Sequence, residues 1–143
     1  VPGDGVPESA AVRELRVESR ADAVLFCTPE YAGNCPGSLK NLLGWMVGTA
    51  DLHGKPAAWI TIAPPGRGDG AVATLAGVLT YVGADVDPAL CPRLPVLSDD
   101  IGADGLVTNE SFRTGARAAL TGLVFGPHNT AMIEVPEERS FGA

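Results

Sequence analysis

Cys35 stands directly before Pro36 at the start of a stretch with helical spacing, a position where the helix macrodipole can lower a thiol pKa and create a nucleophile. No histidine lies close in sequence to serve as its base, so a thiol enzyme has little else behind it. Glu30 and Tyr31 directly follow an apolar run, and as a general acid/base pair they would need a partner that is not evident. The alternative is a turn whose backbone matters more than its side chains. Gly66, Gly68 and Gly70, within "PPGRGDG" (64 to 70), could let the backbone approach a ligand and leave amides free ahead of a helix, a generic device for anions or ring edges. On spacing alone, a flexible turn fits them equally well. The pattern lacks the GxGxxG step of a dinucleotide fingerprint, and a Walker A site is excluded for want of GK[ST]. The tripeptide Arg67-Gly68-Asp69 reads as chance rather than as an adhesion ligand.

Metal and disulfide chemistry find no support. His53 and His128 are far apart, without HxxxH or HExxH spacing, and Cys27, Cys35 and Cys91 have no paired short spacing. A reducing, cytoplasmic setting fits best. The formal charge of -7, with ten basic residues spread along the chain, disfavours a nucleic-acid surface. No window approaches the ~20 apolar residues that a membrane span needs, and no leader pattern is visible. With 45% apolar and 19% charged residues in 143, one well-buried domain is expected over 1 to 126, followed by a tail or subunit-contact segment over 127 to 143.

The elements that must position these residues follow from periodicity. Ala11, Val12 and Leu15 behind Ser9 predict an amphipathic helix ending near Arg20. "AVLFCT" (23 to 28) and "AAWITIA" (57 to 63) are continuous apolar runs, the pattern of strands covered on both faces. Leu39, Leu42, Leu43 and Met46 predict a helix between them, and Val72, Leu75, Val78, Leu79 and Val82 predict another, closed by Gly83. "DPALCPRLPV" (87 to 96) is interrupted by proline and holds at most a short edge-like strand. After a polar connection over 98 to 109, Phe112, Ala116, Ala119, Leu120 and Leu123 predict a last helix. Strand, loop, helix, strand, loop, helix is the signature of an α/β fold with a parallel sheet and right-handed crossovers. Ligands of such sheets bind at the carboxyl ends of the strands, so the loops after 28 and after 63 should face each other.

"TPEYAGNCPGSLKNLLGW" (28 to 45) resembles the hallmark of the NADPH-dependent FMN reductase family, whose members read TPEYN, a short polar insert, PG, then LKN and an aromatic residue. "RADAVLF", "LHGKPAAWITIA" and "GRGDGAVATLAGVLTYVGADV" agree with it in order and spacing, so that the similarity covers roughly residues 7 to 125. The resemblance implies a flavodoxin-like three-layer α/β sandwich and a bound FMN. Its ring would lie against the backbone of Pro29, Glu30 and Tyr31, with the pyrimidine edge toward Gly66, Arg67 and Gly68. Thr28 and Asp69 complete the implied cofactor-binding set. Hydride would pass from NADPH or NADH through FMN to a small acceptor such as a flavin, quinone, azo compound or metal oxyanion, in a homodimer or homotetramer. A cofactor that carries the redox chemistry needs backbone donors and shape more than a catalytic side chain.

Two departures from the family pattern stand out. Ala32 replaces the usual Asn. The family's opening strand and phosphate-binding loop have no counterpart here, and the apolar "AVLFCT" should not stand at a sheet edge, so an additional N-terminal segment is expected. These departures also support a rival reading, a flavodoxin-like scaffold module that no longer binds flavin. Gly68→Val is expected to weaken FMN binding without unfolding the domain.

Overall fold

The computed structural model describes residues 20–126 together with Ala10 and Arg13. Apart from those two residues, both helical, and Arg20, the helix expected over 8 to 20 lies outside this range, as does the tail over 127 to 143. Three parallel strands line up in the order β1 (Val24–Thr28), β2 (Pro56–Thr61), β3 (Asp85–Val86). Helix α1 (Gly37–Val47) connects the first pair and α2 (Asp69–Tyr81) the second, while α3 (Glu110–Phe125) follows a long connection.

The continuous apolar run of β2 is buried at every position because helices cover both of its faces. Ala57 and Trp59 point into a core shared with Leu43 and Met46 of α1 and with Ala71, Leu75 and Leu79 of α2. Ala58 and Ile60 alternate onto the opposite face, where α3 packs against β2 and buries Ala119 and Leu123. Leu120, expected on that apolar face, is exposed instead. The same expectation of full cover does not hold for β1 among the described residues. Phe26 and Thr28 are buried there, but Val24 and Leu25 are only partly so and Cys27 is exposed. β1 bonds to β2 along one edge.

Helix ends follow the local chemistry. Lys40 N–H donates to Pro36 O, starting α1 directly after the proline. Gly83, at φ +74°, closes α2, with Ala84 N–H returning to Leu79 O. Asn109 caps α3 by accepting from Phe112 N–H at 3.0 Å.

The proline-interrupted stretch begins just after β3 and adds one short edge piece. β3 ends at Val86, a single 3-10 turn spans Pro88–Leu90, and residues 92 to 96 then rejoin β2 beyond its end. Thr61 N–H donates to Pro92 O, and Thr61 O and Ile62 O accept from Leu94 and Val96. Proline at 88, 92 and 95 removes donors there, so a regular edge ladder cannot form. The polar connection carries structure that periodicity does not show: a 3-10 turn at Ser98–Asp100 and a bridge between Ile101 and Val107.

Leu75 is fully buried at the centre of the α2 contact. Leu75→Ala is expected to lower unfolding free energy by about 2 to 5 kcal/mol, read as a shift in the urea midpoint at constant slope.

Candidate functional site

The parallel register sets Thr28 beside Thr61, so the chain leaves β1 and β2 at the same edge of the sheet. Ile62 N–H donates to Thr28 O at 3.1 Å, carrying the pairing one step further. Past that point the two loops leave the ladder, and the first meets the start of α2, which follows the second, through side chains and backbone.

The first loop makes a tight two-residue turn. Tyr31 N–H donates to Asn34 O at 2.8 Å and Asn34 N–H to Tyr31 O at 3.0 Å. Ala32 and Gly33 between them have φ +49° and +75°, the left-handed pair that such a turn demands. This gives position 32 a backbone reason to prefer Asn, which tolerates left-handed φ better than Ala. Tyr31 is left 64% exposed beside the turn.

Glu30 and Asn34 reach out of this turn to α2. Glu30 Oε2 accepts from Gly70 N–H at 3.0 Å and from Ala71 N–H at 3.4 Å. Asn34 Oδ1 accepts from Thr74 Oγ1 at 2.6 Å and from Cys35 N–H at 2.7 Å. Cys35 Sγ donates to Ala71 O at 3.3 Å. Backbone touches backbone at the centre of this contact. A Cβ on Gly70 would sit 1.6 Å from Gly33 O, so only glycine fits.

The second loop turns back on itself through Arg67 N–H and Pro64 O, with Gly66 at φ +80° and Gly68 at φ +107°. Arg93 reaches it from the edge segment, donating to Arg67 O at 3.3 Å and to Asp69 Oδ1 at 2.5 Å. Both partners of that ion pair are well exposed, so its contribution to stability is small. Gly66 and Gly68 differ in what surrounds them. A Cβ at Gly66 meets nothing within 4 Å, whereas one at Gly68 would lie 2.9 Å from Thr61 Cγ2. Gly68→Val therefore strains the fold itself, contrary to the sequence expectation, and Gly66 is the position where a side chain enters open space.

All eight expected site residues thus gather at one edge, in unequal roles. Thr28 is buried and its hydroxyl donates to Pro29 O. The Glu30 carboxylate turns to α2, and Asp69 pairs with Arg93. Pro29, Tyr31, Gly66, Arg67 and Gly68 supply loop backbone. Sequence reasoning named Gly70 only as a point of close ligand approach, and missed Asn34, Thr74 and Arg93; an Asn closing a two-residue turn was the one available signal. Cys35 does not take the nucleophile's part, since the thiol is buried, bonded to Ala71 O, and raised in pKa mainly by that burial.

The residues present fit a flat, hydrogen-bonding ligand. Among the described residues, the Gly66 and Gly68 amides have no acceptor, and Thr61 Oγ1 is buried without a partner at the same strand end. By contrast, a groove of about 710 Å³ along α1, beside Lys40, Gly44 and Trp45, is lined by the helix and the glycine that follows it and by no residue of the two loops.

This pairing of a parallel sheet with two loops at its carboxyl edge defines a flavodoxin-like α/β protein. The chain belongs to the NADPH-dependent FMN reductase family, whose sequence model matches residues 4–90. A NADPH azoreductase of Bacillus sp. (strain OY1-2) is 34% identical over 100 residues, 66% of this chain and 54% of the azoreductase. An NAD(P)H-dependent FMN reductase of Pseudomonas aeruginosa is 40% identical over 91 residues, 62% of this chain and 49% of that one. The chain thus spans about half the length of these curated relatives. Among solved structures, FerB, a flavoenzyme NAD(P)H:(acceptor) oxidoreductase from Paracoccus denitrificans, superposes with a TM-score of 0.63 at 28% identity, covering 86% of this chain and 75% of FerB. General stress protein 14 from Treponema denticola, solved in complex with FMN, gives a TM-score of 0.52 at 25% identity, covering 84% of this chain and 74% of that one. Among the described residues, no helix is long and apolar enough to cross a membrane.

Two outcomes are expected. Ala32→Asn should raise unfolding free energy by about 0.5 to 1 kcal/mol by easing the left-handed turn, measured by urea denaturation. Iodoacetamide should leave Cys35 unmodified in the native protein and modify it after denaturation, read by peptide mass mapping.

Proposed function

We propose that this protein is a flavin-dependent oxidoreductase that binds FMN between the loop after β1 and the loop after β2. The observation that carries the reading is the pair of loops itself: two turns at one sheet edge, coupled by Glu30 and Asn34, with the Gly66 and Gly68 amides left to bond a ligand. When bound, FMN supplies the transfer of hydride from NADPH or NADH to a small acceptor, for which flavins, quinones, azo compounds and metal oxyanions are the candidates.

The chain's own part is to bind and orient. The Pro29–Tyr31 backbone would face the ring, and the amides of the 66 to 68 loop would bond its pyrimidine edge. Gly66 holds a left-handed φ with open space beside it, so backbone can approach without a side chain intervening. Arg67 is exposed on the same loop and offers a cation to a nucleotide phosphate. No acid/base dyad is required of the protein, which accords with two loops that contribute mainly backbone. Assembly as a homodimer or homotetramer belongs to this reading.

Quenching of flavin fluorescence on titration with FMN, together with FMN-dependent oxidation of NADPH, tests it. Gly66→Asn, which tolerates left-handed φ while adding a side chain, should keep the thermal midpoint close to the parent's and weaken FMN binding about tenfold. Unchanged affinity would remove that loop from the site. Absence of quenching in the parent would favour the flavin-free scaffold module.

A further inference from the structure

Helix α2 is thirteen residues long and begins without a cap of its own, because Gly68 has no side chain to offer its amides. First-turn amides have no acceptor within a helix, and the macrodipole places partial positive charge there. Glu30, forty residues upstream, supplies the acceptor: one carboxylate oxygen takes both Gly70 N–H and Ala71 N–H. Asp69, the other carboxylate at this helix start, is drawn outward to Arg93. The place where a helix would ordinarily hold a ligand's anion is therefore filled by the chain itself.

We propose that Glu30 is a positioning residue: its carboxylate locks the start of α2 to the loop after β1 and so fixes the spacing between the two cofactor loops. The proposal rests on the flavin reading above. Three contacts argue for a lock rather than an incidental bond. The Thr74 hydroxyl bonds Asn34, the Cys35 thiol bonds Ala71 O, and Gly33 O meets Gly70 where no Cβ fits. All three lie within the same two segments as Glu30, so loss of its carboxylate frees two amides at the centre of a contact that has no slack. A ligand held by backbone on both loops registers that change in spacing even though it never touches the carboxylate.

The test compares the parent with Glu30→Ala and Glu30→Gln, in two readouts: hydrogen exchange at the Gly70 and Ala71 amides, and FMN affinity with the absorption envelope of the bound flavin. In Glu30→Ala, both exchange and the FMN dissociation constant should rise about tenfold or more, with a shifted envelope. In Glu30→Gln, which keeps a carbonyl acceptor, both should stay within about threefold of the parent. Parent-like exchange and affinity in Glu30→Ala would overturn the proposal. So would equal weakening in both variants, which would mark the charge itself as the ligand's contact. If the parent binds no FMN, the flavin reading falls, and amide exchange alone decides: acceleration in Glu30→Ala supports the lock and unchanged exchange refutes it. Should Glu30→Ala fail to fold, Glu30→Asp, one methylene too short to reach both amides, replaces it with the same expectations.

Discussion

Everything at the functional edge depends on the close approach of Gly33 and Gly70. At that point the turn after β1 meets the first turn of α2 with no side chain between them. The polar groups brought together by so close a contact are bonded locally. Glu30 bonds the Gly70 and Ala71 amides, Asn34 bonds Thr74, and the Cys35 thiol bonds Ala71 O. Sequence distance is bridged by topology: parallel pairing of β1 with β2 delivers both loops to one edge, and the lock then sets their separation.

That arrangement explains why the chain shows so little conventional catalytic equipment. A site built from backbone amides, glycines with positive φ and one exposed tyrosine is suited to holding a planar cofactor that brings its own reactivity. Side chains that look chemical in the sequence are bonded within the chain. Cys35 is a buried donor, Glu30 is a cap in trans, and Asp69 is tied to Arg93. Ala32 belongs with them, since its left-handed φ makes the identity of residue 32 a matter of turn strain.

Periodicity made α1, α2, α3 and β2 legible, the last because β2 is covered on both faces and its continuous apolar run is what such cover requires. Among the described residues β1 is less covered than its apolar run implies, with Cys27 exposed, and periodicity misplaced Leu120, which is exposed on α3. The edge segment was only half readable, since its prolines announced an irregular strand but not the way residues 92 to 96 rejoin β2. At the proposed site, the TPEY and glycine-loop motifs singled out two segments that the parallel sheet brings to one edge. The lock between them was not readable, because the Glu30–Gly70 and Asn34–Thr74 bonds span 40 residues and arise only when the sheet brings their ends together. Arg93 was hidden for the same reason.

The central claim is that FMN occupies the space between these two loops. Mapping amide chemical-shift changes as FMN is added to isotope-labelled protein tests it directly. The account predicts saturable shifts concentrated at Glu30, Tyr31, Gly66, Arg67 and Gly68. Shifts confined to the groove along α1, around Lys40 and Trp45, or no shifts at all, would contradict it.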